Sequence, residues 1–185
     1  MKLNLEMKPT QPIVLIGMMG SGKTSIGKLV AKELNFTFID TDLEIEKKLN
    51  LSVKEIFENH GETLFRKKEC DVFKLFSNKR NIIVSSGGGS FCHPNTHDLI
   101  KKYFLSVWLD VNDEILFNRL KRNQKKRPLL SGLEENELRN KVKNLISERK
   151  DCYNKADIRV KLSEQKIQES FYLTYSKIIS HISKY

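Results

Sequence analysis

Eight consecutive residues, Gly17-Met18-Met19-Gly20-Ser21-Gly22-Lys23-Thr24, concentrate groups that suit the binding of a phosphate chain. Glycines permit a tight loop whose backbone N–H groups converge on an anion, and a helix beginning at Lys23 would add its partly positive N-terminus. In the spacing GxxxxGK[ST], Lys23 is expected to reach the β- and γ-phosphates of a nucleotide and the Thr24 hydroxyl to ligate Mg²⁺. Gly20, Ser21, Gly22, Lys23, Thr24 and Ser25 are the expected nucleotide contacts.

Paired carboxylates follow in Asp40-Thr41-Asp42. Asp40 could support Mg²⁺ through water, while Asp42 could accept a hydrogen bond, or a proton, from an acceptor hydroxyl. The competing role for Asp42 is to cap a helix starting at Leu43. Arg66, in GETLFRKKE, has helical spacing to Glu62 and Glu69, so a surface ion pair is its simplest reading. Gly87-Gly88-Gly89 offers no packing and high chain entropy, a combination suited to close approach of backbone to a ligand.

Two other patterns carry less. Asn154-Lys155-Ala156-Asp157 spells a guanine-recognition motif, but it follows charged ERKDCY and no Asp-x-x-Gly occurs to sense a γ-phosphate. Cys92, His93 and His97 are ligand types without a fourth member or a catalytic partner.

These groups need a frame. Apolar runs at 13–16, 36–40, 82–85, 107–110 and 158–162 read as strands buried on both faces. Helical spacing covers 23–34, 43–49, 53–59, 62–76, 113–121, 134–153 and 164–182. Such alternation implies right-handed crossovers and a parallel sheet covered on both faces, with ligands beyond the strands' carboxyl ends. The glycine loop, DTD and SGGG all fall at those ends. The basic stretch RLKRNQKKRPLLSG reads as a mobile flap over about 119–131, and residues 1–10 as an N-terminal extension to one domain over 11–185.

Composition narrows the partners. Thirty-three Lys and Arg against 23 Asp and Glu give these 185 residues a formal charge of +10, which favours anionic ligands. No zinc-finger spacing, aromatic RNA-binding pattern or low-complexity basic tail accompanies the charge, so nucleic acid is not an expected partner. Three widely spaced cysteines fit reduced thiols, and no apolar stretch approaches the ~20 residues of a spanning helix. A cytoplasmic monomer that needs no membrane is the expectation.

In their order, GMMGSGKT, DTD, the FR of GETLFRKKE, SGGG, RPLL and the Arg of ERKDCY resemble the shikimate kinase family over roughly residues 11–183. The resemblance implies a three-layer α/β P-loop fold with a five-stranded parallel sheet in the order 2-3-1-4-5, plus a mobile lid. It further implies transfer of the ATP γ-phosphoryl group to the 3-hydroxyl of shikimate, with Mg²⁺, in the biosynthesis of chorismate and aromatic amino acids. Asp42 would bind ring hydroxyls and act as base, and Asp40 would support Mg²⁺. Arg66 and Arg149 would pair with the shikimate carboxylate, Gly88 would offer its backbone N–H, and Arg127 would reach the phosphates from the lid. Arg119, Arg122 and Lys161 all remain open as contacts to adenine. The alternatives are another small-metabolite kinase, such as gluconate kinase, and a nucleotide-dependent nucleic-acid-binding protein.

Overall fold

The computed structural model describes residues 11–124, 129–164 and 166–184; the expected extension at 1–10, and Arg127 within the expected lid, lie outside the described residues. The chain runs β1 (Ile13–Ile16), α1 (Lys23–Leu34), β2 (Thr37–Asp40), α2 (Thr41–Leu49), α3 (Val53–Phe76) and β3 (Ile82–Ser85). A 3₁₀ turn (Ser90–Cys92) leads to α4 (Pro94–Tyr103), β4 (Leu105–Val111), α5 (Asp113–Arg122), α6 (Glu135–Tyr153), β5 (Ile158–Leu162) and α7 (Ile167–Ile182).

All five strands are parallel, in the order β2-β3-β1-β4-β5. Every side chain of β1 and β3 is buried, as both faces of a central parallel strand must be when helices cover them. The outer strands depart from that pattern. β5 alternates buried and exposed residues, and β2 is partly open, because each has a neighbour on one side only.

Register sets the site. Leu15 of β1 and Asp40 of β2 both lie opposite Ser85 of β3, so the three strands end side by side. The glycine loop, the Asp40-Thr41-Asp42 turn and the triple-glycine loop therefore leave the same edge of the sheet.

Three local features differ from the sequence reading. α2 starts at Thr41, because Asp40 is the N-cap: its Oδ1 accepts from the Asp42 N–H at 3.1 Å. The expected helices at 53–59 and 62–76 join into α3, bent at Gly61, whose φ of 76° and ψ of 172° are not helical. α4 was not anticipated. Its apolar residues, Leu99, Ile100 and Tyr103, fall in its second half, and its first turn, Pro94-Asn95-Thr96-His97, carries residue types that read as a loop. Within the expected lid, residues 119–122 complete α5, and Leu120 and Leu130 are fully buried.

Candidate active site

The loop between β1 and α1 is shaped by positive φ at Gly17, Gly20 and Gly22, the last of which (φ 95°) is the N-cap of α1. Lys23 is buried and its Nζ donates to the carbonyls of Gly17 (2.8 Å) and Met18 (2.9 Å), lying back along the loop. A cavity of about 460 Å³ opens beside it, walled by residues 19–26, Asp40, Asp42 and the loop after β3. The buried hydroxyl of Ser21 lines this cavity and has no hydrogen-bond partner among the described residues. Of the three open adenine contacts, Arg119 reaches this cavity, donating from Nη1 to the Gly20 carbonyl at 3.2 Å. Lys161 lines a different cavity, against β4 and β5.

Thr24 Oγ1 donates to Asp40 Oδ2 at 2.9 Å and lies 3.4 Å from Ser85 Oγ. This cluster of hard oxygen donors at the head of a phosphate cavity suits Mg²⁺, which keeps several waters and accepts one or two protein oxygens.

With the capping role taken by Asp40, the Asp42 carboxylate is left to line the cavity. Desolvation, followed by the negative charges of Glu69, Asp40 and Glu46, pushes its pKa up to about 7, against the opposing pull of Lys23. Asp42 also lines a second cavity of about 250 Å³, which shares Met19, Gly87 and Gly88 with the first. Val53, Phe57, Phe65 and Leu129 give this smaller space an apolar wall, and Arg66 and Arg149 supply its positive charge.

Arg66 is held by two carboxylates. Its Nε (3.0 Å) and Nη2 (2.8 Å) donate to Glu62 Oε1, and Nη1 donates to Glu69 Oε2 at 2.7 Å. Glu62 is 54% exposed, but Glu69 is fully buried, so the second pair is an internal tether and no surface bridge. Ser90 Oγ completes it, lying within hydrogen-bond reach of both Glu69 Oε1 and the Gly87 carbonyl (2.8 Å), either of which its single O–H can serve. Arg66 spends three of its five N–H donors here, leaving one on each terminal nitrogen.

Close approach explains the three glycines, none of which has positive φ. A Cβ on Gly87 would lie 2.7 Å from Glu69 Oε1, one on Gly88 3.0 Å from the Met19 nitrogen, and one on Gly89 2.5 Å from Arg66 Nη2. The Gly88 carbonyl accepts from Arg149 Nη1 at 3.3 Å and from Tyr153 OH, which fastens α6 over the loop.

Asp40, Asp42, Arg66, Gly88 and Arg149 thus converge with the glycine loop. Sequence reasoning did not assign Glu69 or Ser90 to the site. Glu69 was visible only as a helical neighbour of Arg66, and nothing in the spacing announced its burial.

The two weaker patterns fall elsewhere. Asp157 sits at the start of β5, where its carboxylate binds Lys101, the Ser106 hydroxyl and the Ser106 N–H, at the opposite end of the strands from the glycine loop. His97 Nδ1 lies 2.9 Å from the Phe91 carbonyl, and no cluster of three or more potential metal ligands occurs among the described residues.

A doubly covered parallel sheet, a glycine loop opening onto a cavity of about 460 Å³ and an adjoining acceptor cavity lined by two arginines define a P-loop kinase of small molecules. The shikimate kinase family model matches residues 19–182, and the chain belongs to that family of ATP-dependent kinases. A shikimate kinase of Flavobacterium johnsoniae is 39% identical over 162 residues, 86% of this chain and 94% of that protein. The solved structure of shikimate kinase from Acinetobacter baumannii in complex with shikimate superposes with a TM-score of 0.85 at 28% identity, covering 96% of each chain. A gluconokinase from Sinorhizobium meliloti has a TM-score of 0.58 and 14% identity over 95% of each chain, a likeness of fold alone.

Proposed function

We propose that this protein transfers the γ-phosphoryl group of ATP to the 3-hydroxyl of shikimate, giving shikimate 3-phosphate and ADP, as a monomer in the cytoplasm. The observation that carries this reading is the junction of two cavities across Met19, Asp42, Gly87 and Gly88, one beside the phosphate loop and one lined by two arginines.

In this scheme the phosphates lie on the N–H groups of residues 20–25, and the Ser21 hydroxyl, otherwise without a partner, gains one. Lys23 exchanges its two carbonyl partners for phosphate oxygens. Thr24 and Asp40 would hold Mg²⁺, which would supply positive charge beside the phosphates. Arg66 turns its two remaining N–H donors, with Arg149, to the ring carboxylate, and the Gly88 N–H supports the same end. A planar carboxylate between two guanidiniums is fixed in direction as well as in place.

Asp42 then faces the ring hydroxyls. A carboxylate titrating near 7 is half ionised at neutral pH and a better proton acceptor than an ordinary aspartate. Phosphoryl transfer needs alignment and charge neutralisation more than covalent help. Arg127, in RPLL, supplies further positive charge to the phosphates, and Arg119 lies along the adenine.

Release of ADP, measured with ATP, Mg²⁺ and a panel of acceptors, tests the reading. Shikimate alone should stimulate turnover. Stimulation by gluconate, or by DNA or RNA and not by shikimate, would redirect it.

A further inference from the structure

A third cavity, of about 610 Å³, lies against β4 and β5 and shares no lining residue with the other two. That volume admits a ring-sized molecule. Its inner surface is apolar, built from Met18, Trp108, Leu116, Ile146 and Tyr153. Lys150, Arg159 and Lys161 supply positive charge, against Asp110 and Asp113.

Both acids are already committed. Asp110 Oδ2 accepts from Arg159 Nε (2.9 Å) and Nη2 (2.7 Å), and Asp113 occupies the first turn of α5, where the helix N-terminus favours a negative charge. Lys150 and Lys161, by contrast, make no hydrogen bond or ion pair with another described side chain. Arg159 is a prepared platform. Its guanidinium lies 4.5 Å from the centroid of the buried Trp108 ring, Asp110 holds it there, and 43% of the side chain remains exposed. A guanidinium fixed on an indole presents a flat cationic surface, on which a second planar group can stack.

We infer that this cavity is a second ligand site, which takes a small planar anion: an aromatic ring bearing a carboxylate or a phosphate. The ring fills the apolar interior against Arg159, and the anionic group meets Lys150 and Lys161. Occupancy bears on catalysis, because two wall residues also touch the active site. The Met18 carbonyl accepts from Lys23 and its Sδ from Arg149 (3.8 Å), while Tyr153 OH donates to the Gly88 carbonyl. Any effect on acceptor affinity must be returned as an equal effect of acceptor on the second ligand.

Trp108 is the only tryptophan, so 5-fluorotryptophan labelling places a single ¹⁹F resonance in the wall of this cavity. The full chain, saturated with ADP, is titrated with benzoate and with phenyl phosphate, and with benzyl alcohol as the neutral analogue. We expect a saturable shift with at least one anion, and binding of benzyl alcohol weaker by about tenfold. Lys150→Glu/Lys161→Glu should weaken the anion by about tenfold or more while acceptor-dependent ADP release persists. Arg66→Ala should leave the shift in place, which separates this site from the acceptor cavity and makes the result independent of which acceptor the enzyme uses. The inference is overturned by the absence of a saturable shift with either anion, by a shift that survives charge reversal, or by one lost in Arg66→Ala.

Discussion

One continuous run, residues 19–26, supplies the phosphate end of the nucleotide cavity, whereas the acceptor cavity collects Asp42 from α2, Phe57 and Arg66 from the two halves of α3, Gly87–Gly89 from the loop after β3, and Arg149 from α6. The first is made chiefly of backbone, shaped by glycine conformations and one lysine. The second joins an apolar wall to charged side chains that other groups orient: Arg149 by the Gly88 carbonyl, and Arg66 by Glu69, which Ser90 holds in turn. Backbone cradles tolerate changes around them so long as the loop closes. A side-chain cavity depends on charge balance, so removal of one member disturbs the others.

The comparison can be broken most severely at Lys23. Lys23→Met should reduce turnover by about 10³-fold, because the transferring phosphoryl group loses a fixed counter-charge. Shikimate affinity, measured by titration without nucleotide, should barely move. Loss of both would mean that the two cavities are not separable.

Asp42→Asn, at the junction, should lower turnover by about 10²-fold at saturating acceptor with ATP binding retained. The wild-type kcat/KM for the acceptor should rise with pH up to about 7 and then level, since Asp42 must be ionised to accept a proton; the variant should lack this limb. Stability carries the opposite sign. The folded chain holds the Asp42 proton up to about 7, and the unfolded chain releases it near 3.8, so stability contributed by this group falls as pH rises between those values. Asp42→Asn should therefore be the more stable protein at pH ~8, by on the order of 2 kcal/mol after solvent screening is allowed for. Equal denaturation midpoints at that pH would show that the carboxylate is not strained.

The arginines sharpen the contrast within the acceptor cavity. Arg66→Ala and Arg149→Ala should each weaken shikimate by about 2 kcal/mol while ATP affinity changes less. Only Arg66→Ala should also cost the fold about 3 kcal/mol, because it strands the fully buried Glu69. Chemical denaturation of both variants decides this. The smallest effect belongs to Glu62→Gln: with Glu62 half-exposed, unfolding should shift by no more than about 0.5 kcal/mol and shikimate KM less than about threefold. A large rise in KM would move Glu62 into the group of residues that aim Arg66.

This contrast also explains what was legible in the sequence. The phosphate loop could be read because its chemistry is local: eight adjacent residues carry the loop, the lysine and the helix start. The strands of the interior were equally plain, since burial on both faces demands unbroken apolar runs. α4 was missed because its first turn, Pro94-Asn95-Thr96-His97, reads as a loop, and the capping role was weighed for Asp42 and not Asp40 because the helix was expected to start at Leu43, two residues after its actual start at Thr41. Arg66 with Glu62 and Glu69 looks in sequence like an ordinary solvated helix face.

By itself, then, the sequence determined the alternation of strands and helices, the phosphate loop and the set of charged residues available for an acceptor. Tertiary structure decided which charges are buried. Glu69 becomes an internal tether because the loop after β3 folds down on α3 and brings Ser90 to it, and Asp42 is raised to about 7 because that same packing removes water and sets Glu69 near it. Desolvation depends on what the rest of the chain places around a group, and no local spacing encodes it.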